Sequence, residues 1–385
     1  MPGEEEEELT CRKLLSKIRQ GFTSLSNSPT ELYIAYLLKF LDSYSYFSFS
    51  IIFTLFLSED FGFSDVAAGS IYGAWGALVT IYGLISGVIV DNMGVAKSLK
   101  IGFCISCASR IAIFATTSKT MLLWNVCLFL PFGNCLGIPV LTTGIRRYTT
   151  EQNRGFAFGL FYVIMNVAAL LSGPVVDMCT ILYKGAEDDE GENDNDVDDG
   201  NAMEDGYDEN KEWSFTGYRM VILTGVVANI VACVVTLFIR EIKLSGTATT
   251  NNNNNNRNNN NNTDSSETTS SSSSPSISTF QPLRGTPTQI LRETLSTPSF
   301  WRFLAVCLIT LNIRMIFRHL DATLPKYMVR EFGPNTPKGT IYSINPALII
   351  ILVPIIQAAT REVDPLVMIH YGIYISALSV FFFGA

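Results

Sequence analysis

Gly87-Val-Ile-Val-Asp91-Asn-Met-Gly94-Val-Ala-Lys97 stands between two long apolar runs, residues 66–90 and 99–116. The gap is too short for anything but a tight loop between consecutive helices. Each marked position has a chemical use there. Asp91 can accept hydrogen bonds from donors at a neighbouring helix N-terminus, where the helix dipole favours an anion. Gly94 permits the reversal. Lys97 marks the loop's side of the membrane, because lysine and arginine accumulate in cytoplasmic loops.

A crossing of ~30 Å of hydrocarbon needs about 20 largely apolar residues. Nine segments qualify: 34–57, 66–90, 99–116, 121–141, 155–176, 218–239, 301–324, 341–360 and 366–384. The expected fold class is therefore an all-α polytopic membrane protein, with membrane lipid as its solvent. With the N-terminus cytoplasmic, inside loops hold Arg12, Lys13, Lys17, Arg19, Lys97, Lys100, Arg146, Arg147, Arg154 and Arg240. The opposite side receives Glu59, Asp60, Asp65, Lys119 and an acidic loop. Only Lys326, Arg330 and Lys338 blur this division. Whether the membrane is the plasma membrane or an endomembrane is not encoded.

The formal charge of −8 comes from two segments. Glu4 to Glu8 form one, and residues 179–217 carry fourteen acids against Lys184 and Lys211. Such runs hold too little apolar surface to offset ordering entropy and read as solvated loops. Residues 251–262, broken once by Arg257, and Ser270–Ser274 read as part of a flexible linker. The expected organisation is a cytoplasmic tail (1–33), a six-helix bundle (34–239, with the acidic loop 179–217 on the far side), a cytoplasmic linker (240–298) and a partial second bundle (299–385). Scattered cysteines within apolar runs make no disulfide framework. The chain has no G-x-x-x-x-G-K-[ST] phosphate loop, no H-E-x-x-H, no G-x-S-x-G and no spaced acidic calcium loop. Neither an ATP-driven pump nor an enzyme is expected, and no cofactor, metal or nucleic-acid partner.

The Gly87, Asp91, Gly94 and Lys97 element after the second span resembles the helix 2–3 loop signature of the major facilitator superfamily. That resemblance implies two six-helix bundles rocking around a midplane site. Here it covers six N-terminal spans plus three of the expected six C-terminal ones. The chain closes on Phe381-Phe-Phe-Gly384-Ala385 at its ninth span, so an incomplete reading of a longer chain is expected. Ser343-Ile-Asn-Pro-Ala-Leu-Ile-Ile-Ile-Leu-Val-Pro354, after Phe317-Arg-His-Leu-Asp-Ala-Thr-Leu324, resembles helices 7 and 8 of the proton-dependent oligopeptide transporters over about forty residues. That family's Glu-x-x-Glu-Arg/Lys element of helix 1 aligns with Lys39-Phe-Leu-Asp42-Ser43, and its helix 7 acid aligns with Arg318. One acid of that element is thus Lys39, its basic residue is Ser43 and the helix 7 acid is Arg318, so the resemblance implies neither peptide transport nor proton coupling by the family's route.

Ionisable residues inside spans are expensive and usually functional. Lys39 and Asp42 stand three apart on one helix face, with Tyr46 a turn further. They read as a salt-bridged pair facing a cavity, or, alternatively, as a Lys39 that snorkels to the interface. Arg314, Arg318 and Asp321 form one stripe at i, i+4 and i+7, with His319 beside them. Arginine facing lipid would cost at least ~2.5 kcal/mol. Arg318 paired with Asp321 would leave Arg314 to bind an anionic group, the alternative being an inter-helix latch. The candidate substrate residues are thus Arg314, Arg318, Asp321, Lys39, Asp42 and Tyr46. Gly87, Asp91, Gly94, Lys97, Arg146, Arg147 and Arg154 are the motif and gating set. Arg110 fits either a cavity or an interface. Asn125, Asn134 and Asn166 suit either a polar cavity or, in preference, inter-helix hydrogen bonds, and Pro346 and Pro354 a kinked span.

The resulting expectation is secondary transport, ion-coupled or facilitative, of a small polar anionic or zwitterionic solute, with a co-transported proton or ion as a second partner. The alternative is a non-transporting membrane receptor or scaffold, or a degenerate transporter. Solute, direction, coupling ion and oligomeric state are not encoded.

Overall fold

Backbone N–H and C=O groups find no partner in hydrocarbon, so apolar runs of this length can only coil into helices. The computed structural model describes residues 19–26, 28–188, 213–240, 287–359 and 363–381. The acidic tail, most of the acidic loop and the asparagine-rich linker lie outside them. Among the described residues all regular structure is helical. In order come α1 (Thr30–Glu59), α2 (Asp65–Met93), α3 (Val95–Ala115), an interrupted α4 (Lys119–Tyr148), α5 (Glu151–Asp188) and α6 (Gly217–Thr236). A short helix, Pro287–Ser296, precedes α7 (Pro298–Phe332), α8 (Lys338–Ala359) and α9 (Pro365–Phe381). Each of α1–α6 includes a stretch long and apolar enough to cross a membrane. The described apolar stretches of the last three are shorter, Pro298–Ile309, Lys338–Pro354 and Val367–Ser379.

The chain divides into two compact units, Met1–Lys243 with Met315–Ala385, and Leu244–Arg314. In the second unit Trp301 Nε1 donates to Leu295 O at 2.8 Å, joining the short helix to the start of α7.

The fourth crossing is not the single helix that its apolar run suggests. A π turn (Asn125–Phe129) precedes Pro131, and the chain breaks again at Leu136 and Gly137 before Pro139. Each proline lacks an N–H and sits in the first turn of the piece that follows, where that loss costs least.

In the first unit, two apolar cores stack along the helix axes. One, at the Gly94 end, joins Leu32, Val95, Leu99, Leu136, Ile145 and Ile239; the other, at the Asp60 end, joins Phe49, Phe56, Trp75, Ile113, Val126 and Ile222. Between them runs a buried polar layer at mid-depth: Lys39, Asp42 and Ser45 of α1, Ser106, Ser109 and Arg110 of α3, Asn134 of α4 and Asn229 of α6. Ser45 and Asn229 both bond the Gly225 carbonyl, at 3.1 and 3.0 Å.

At the Asp60 end a second buried charge closes the bundle. Arg219 pairs with Asp60 at 3.3 Å and donates to Thr116 O at 3.0 Å, while Thr216 Oγ1 donates to Asp60 at 2.9 Å. These contacts tie α1 and the end of α3 to the start of α6. At the opposite end Tyr36 OH donates to Ala157 O at 3.1 Å, joining α1 to α5.

Candidate functional site

Along α1, Tyr46, Ser50, Thr54 and Ser58 recur every fourth residue and make one polar stripe. α7 carries a matching stripe, Arg318, Ala322 and Lys326, and the two run parallel. The Arg318 guanidinium lies 5.2 Å from the centre of the Tyr46 ring. Thr54 Oγ1 donates to Ala322 O at 2.9 Å, and Lys326 Nζ donates to Ser58 Oγ. Beyond them Lys326 and Arg330 both pair with Asp65 at the start of α2.

Arg318 is the centre of this seam. Its Nη1 approaches Asp321 Oδ2 at 3.4 Å and Tyr72 OH at 3.5 Å. Tyr72 OH in turn shares a 2.7 Å bond with Ser50 Oγ. Tyr342, on α8, donates its hydroxyl to Asp321 Oδ1 at 2.9 Å. Trp75 packs against Tyr46 and Tyr72 with ring centres 5.4 and 5.7 Å apart. The cluster thus draws on four helices: Tyr46 and Ser50 from α1, Tyr72 and Trp75 from α2, Arg318 and Asp321 from α7, Tyr342 from α8.

The side chain of Arg318 is 46 % exposed. Both of its polar contacts use Nη1; among the described residues Nε and Nη2 bond to nothing. Asp321 fixes the head group and the Tyr46 face supports it, a cation–π contact worth about 0.5–1 kcal/mol where exposed. A guanidinium held on one edge presents the other as a planar pair of donors, the shape that a carboxylate or phosphate accepts.

The structure brings part of the expected set together. The Arg318–Asp321 pair forms, and Tyr46 faces it. Lys39 and Asp42 lie elsewhere, in the mid-depth polar layer, 1 % and 6 % exposed. The expected salt bridge between them is not formed: Lys39 Nζ sits 4.9 Å over the Phe161 ring, and Asp42 turns toward Gly137 of α4. Arg110, 2 % exposed, is buried in the same layer with its guanidinium 5.5 Å over Phe49. The side chains of Arg314 and His319 lie outside the described residues. Asn125 and Asn166 bond back to Met121 O and Tyr162 O of their own helices, not across to others.

Tyr72, Tyr342, Ser50 and Trp75 were not among the residues that sequence reasoning selected. Only the fourfold spacing of Ser50, Thr54 and Ser58 with Tyr46 could have pointed to the seam. Nothing local marks Tyr72 or Tyr342 as different from any other tyrosine in an apolar run.

A sequence model of the Major Facilitator Superfamily matches residues 32–385. The chain belongs to the major facilitator superfamily. Among solved structures of similar fold is a peptide transporter of the POT type, crystallised with alafosfalin and also with sulfate. It is 16 % identical, with a TM-score of 0.56, and the match covers 88 % of this chain and 69–70 % of that one. A bacterial homologue of the human drug peptide transporters is 17 % identical with a TM-score of 0.43, matched over 54 % of this chain; the chain spans 40 % of that transporter's length. No curated protein matches the sequence.

The superfamily's loop element can now be read on the structure. Gly94 ends α2 and opens α3 with φ 85° and ψ 167°, a conformation essentially confined to glycine. Asp91 and Lys97 are both exposed. The bond expected from Asp91 to a neighbouring helix terminus is not made among the described residues. Gly87 is exposed in α2, and a Cβ there would meet nothing within 4 Å. Arg146 is exposed and Arg147 and Arg154 partly buried; the three flank the turn between α4 and α5. That turn shares an end of the bundle with Gly94, since Gly144 packs on Val95. This superfamily member is an integral multi-pass membrane protein.

Proposed function

We propose that the protein carries a small polar solute, anionic or zwitterionic, across a membrane by alternating access, with its N-terminus in the cytoplasm. Membership of a superfamily of transporters supports the general reading. One observation supports the solute class: a half-exposed arginine, fixed by Asp321 and Tyr46 and ringed by Tyr72 and Tyr342, stands where four helices meet. Arg318 receives the anionic group on its open edge. In a zwitterionic solute the ammonium lies toward Asp321. Arg318 stands at the position that the sequence resemblance aligns with a helix 7 acid, which favours an anion over a peptide amine at that point. The buried Lys39, Asp42 and Arg110 layer supplies groups through which a co-transported proton or ion could act.

The test is uptake by cells expressing the protein from its native transcript. A panel should include dipeptides, alafosfalin, 5-aminolevulinic acid and sulfate, the first three zwitterionic and the last an anion. Saturable uptake of an anionic or zwitterionic member, lost in Arg318→Ala at equal surface level, is the expected result. Uptake confined to cationic solutes would overturn it.

A further inference from the structure

The first N–H groups of a helix have no partner within it. In α8 two of them are satisfied from another helix. Asp177, near the far end of α5 and 7 % exposed, accepts Gly339 N on Oδ1 at 2.7 Å and Thr340 N on Oδ2 at 2.6 Å. An anion at this position gains from charge-assisted bonds and from the helix dipole together. Lys338 Nζ donates to Thr180 Oγ1 at 3.1 Å and Ser343 Oγ to Leu170 O at 3.0 Å, so the first turns of α8 are tied to α5 along their length.

Tyr342 lies three residues beyond Gly339, about 4.5 Å along the helix axis. Its hydroxyl holds Asp321 Oδ1 at 2.9 Å, and Asp321 holds Arg318. From these contacts we propose that Asp177 is a positioning residue for the Arg318 site: its carboxylate sets the axial place of α8, and α8 sets Tyr342 against Asp321. The proposal rests on reading the Arg318 cluster as the solute site. A movement of Tyr342 by about 1 Å along the line of its 2.9 Å bond, away from Asp321, would take the pair out of hydrogen-bond range. Asp177 touches no solute and acts only through this relay.

The test uses the full chain in lipid nanodiscs, without solute, with 3-fluorotyrosine at position 342 and its fluorine resonance as the readout. Asp321→Asn gives the resonance of a label that has lost its carboxylate partner. Asp177→Asn is expected to move the label at least half way to that position, and Asp177→Glu, which keeps the anion, to bring it back toward wild type. Thr340→Pro removes one donor without touching Asp177 and is expected to move the label in the same direction; it serves if Asp177→Asn does not fold. A label unmoved in a folded variant, even one of lowered melting temperature, would make Asp177 a helix cap and nothing more. Because no solute enters this measurement, its failure is distinct from failure of the solute-site reading. Uptake that survives Arg318→Ala would end the latter and leave the fluorine result standing.

Discussion

Gly173 on α5 and Gly339 on α8 meet backbone to backbone, so closely that a Cβ on Gly173 would lie 2.0 Å from the Gly339 carbonyl oxygen. The reverse holds as well, with a Cβ on Gly339 2.2 Å from Gly173 O. Neither obstacle is a flexible side chain, so relief requires the two helices to separate. Gly173→Ala is expected to cost about 1–3 kcal/mol, the usual range for overpacking. A lowered melting temperature in detergent checks it, and an unchanged one would mean that α5 and α8 are not this close.

The two glycines of the loop element should behave oppositely. Gly94 sits at a φ that side chains rarely adopt, and Gly94→Ala is expected to destabilise by about 1–3 kcal/mol. Gly87 is an exposed helical glycine with open space at its Cβ, so Gly87→Ala is expected to be neutral or to stabilise by up to about 1 kcal/mol. Thermal unfolding of the two variants side by side separates a conformational requirement from a packing one.

Arg219 and Asp60 are paired with side chains only 4 % and 5 % exposed. Arg219→Met takes the positive charge away from a buried carboxylate and is expected to cost about 3–5 kcal/mol, whereas Arg219→Met with Asp60→Leu should recover most of that loss. Denaturation of the single and double variants measures the difference. Equal losses in both would show that the pair itself, and not the uncompensated charge, stabilises this end.

The helices, their order and the Gly94 turn were legible in the sequence because each is written locally, in apolar length or in one glycine. Arg318 and Asp321 were legible because they lie one turn apart on one helix, where spacing alone brings them together. Lys39 and Asp42 share the same spacing, yet the Phe161 ring on α5 draws the lysine aside and Gly137 on α4 leaves room for the carboxylate. Both partners come from distant sequence. The clasp of Asp177 on Gly339 and Thr340, and the bond from Tyr342 to Asp321, were invisible for the same reason. A helix records which of its faces is polar, but not which other helix will meet that face.

Solute uptake by Arg318→Ala and Arg318→Lys beside wild type, at matched surface level, tests the Arg318 site most directly. Losing a charged, hydrogen-bonded contact typically costs about 2–5 kcal/mol, so kcat/KM for the anionic or zwitterionic solute is expected to fall by at least about thirtyfold in Arg318→Ala. Arg318→Lys should recover only part of it, since a point charge lacks the planar fork. Uptake by Arg318→Ala equal to wild type would contradict the account.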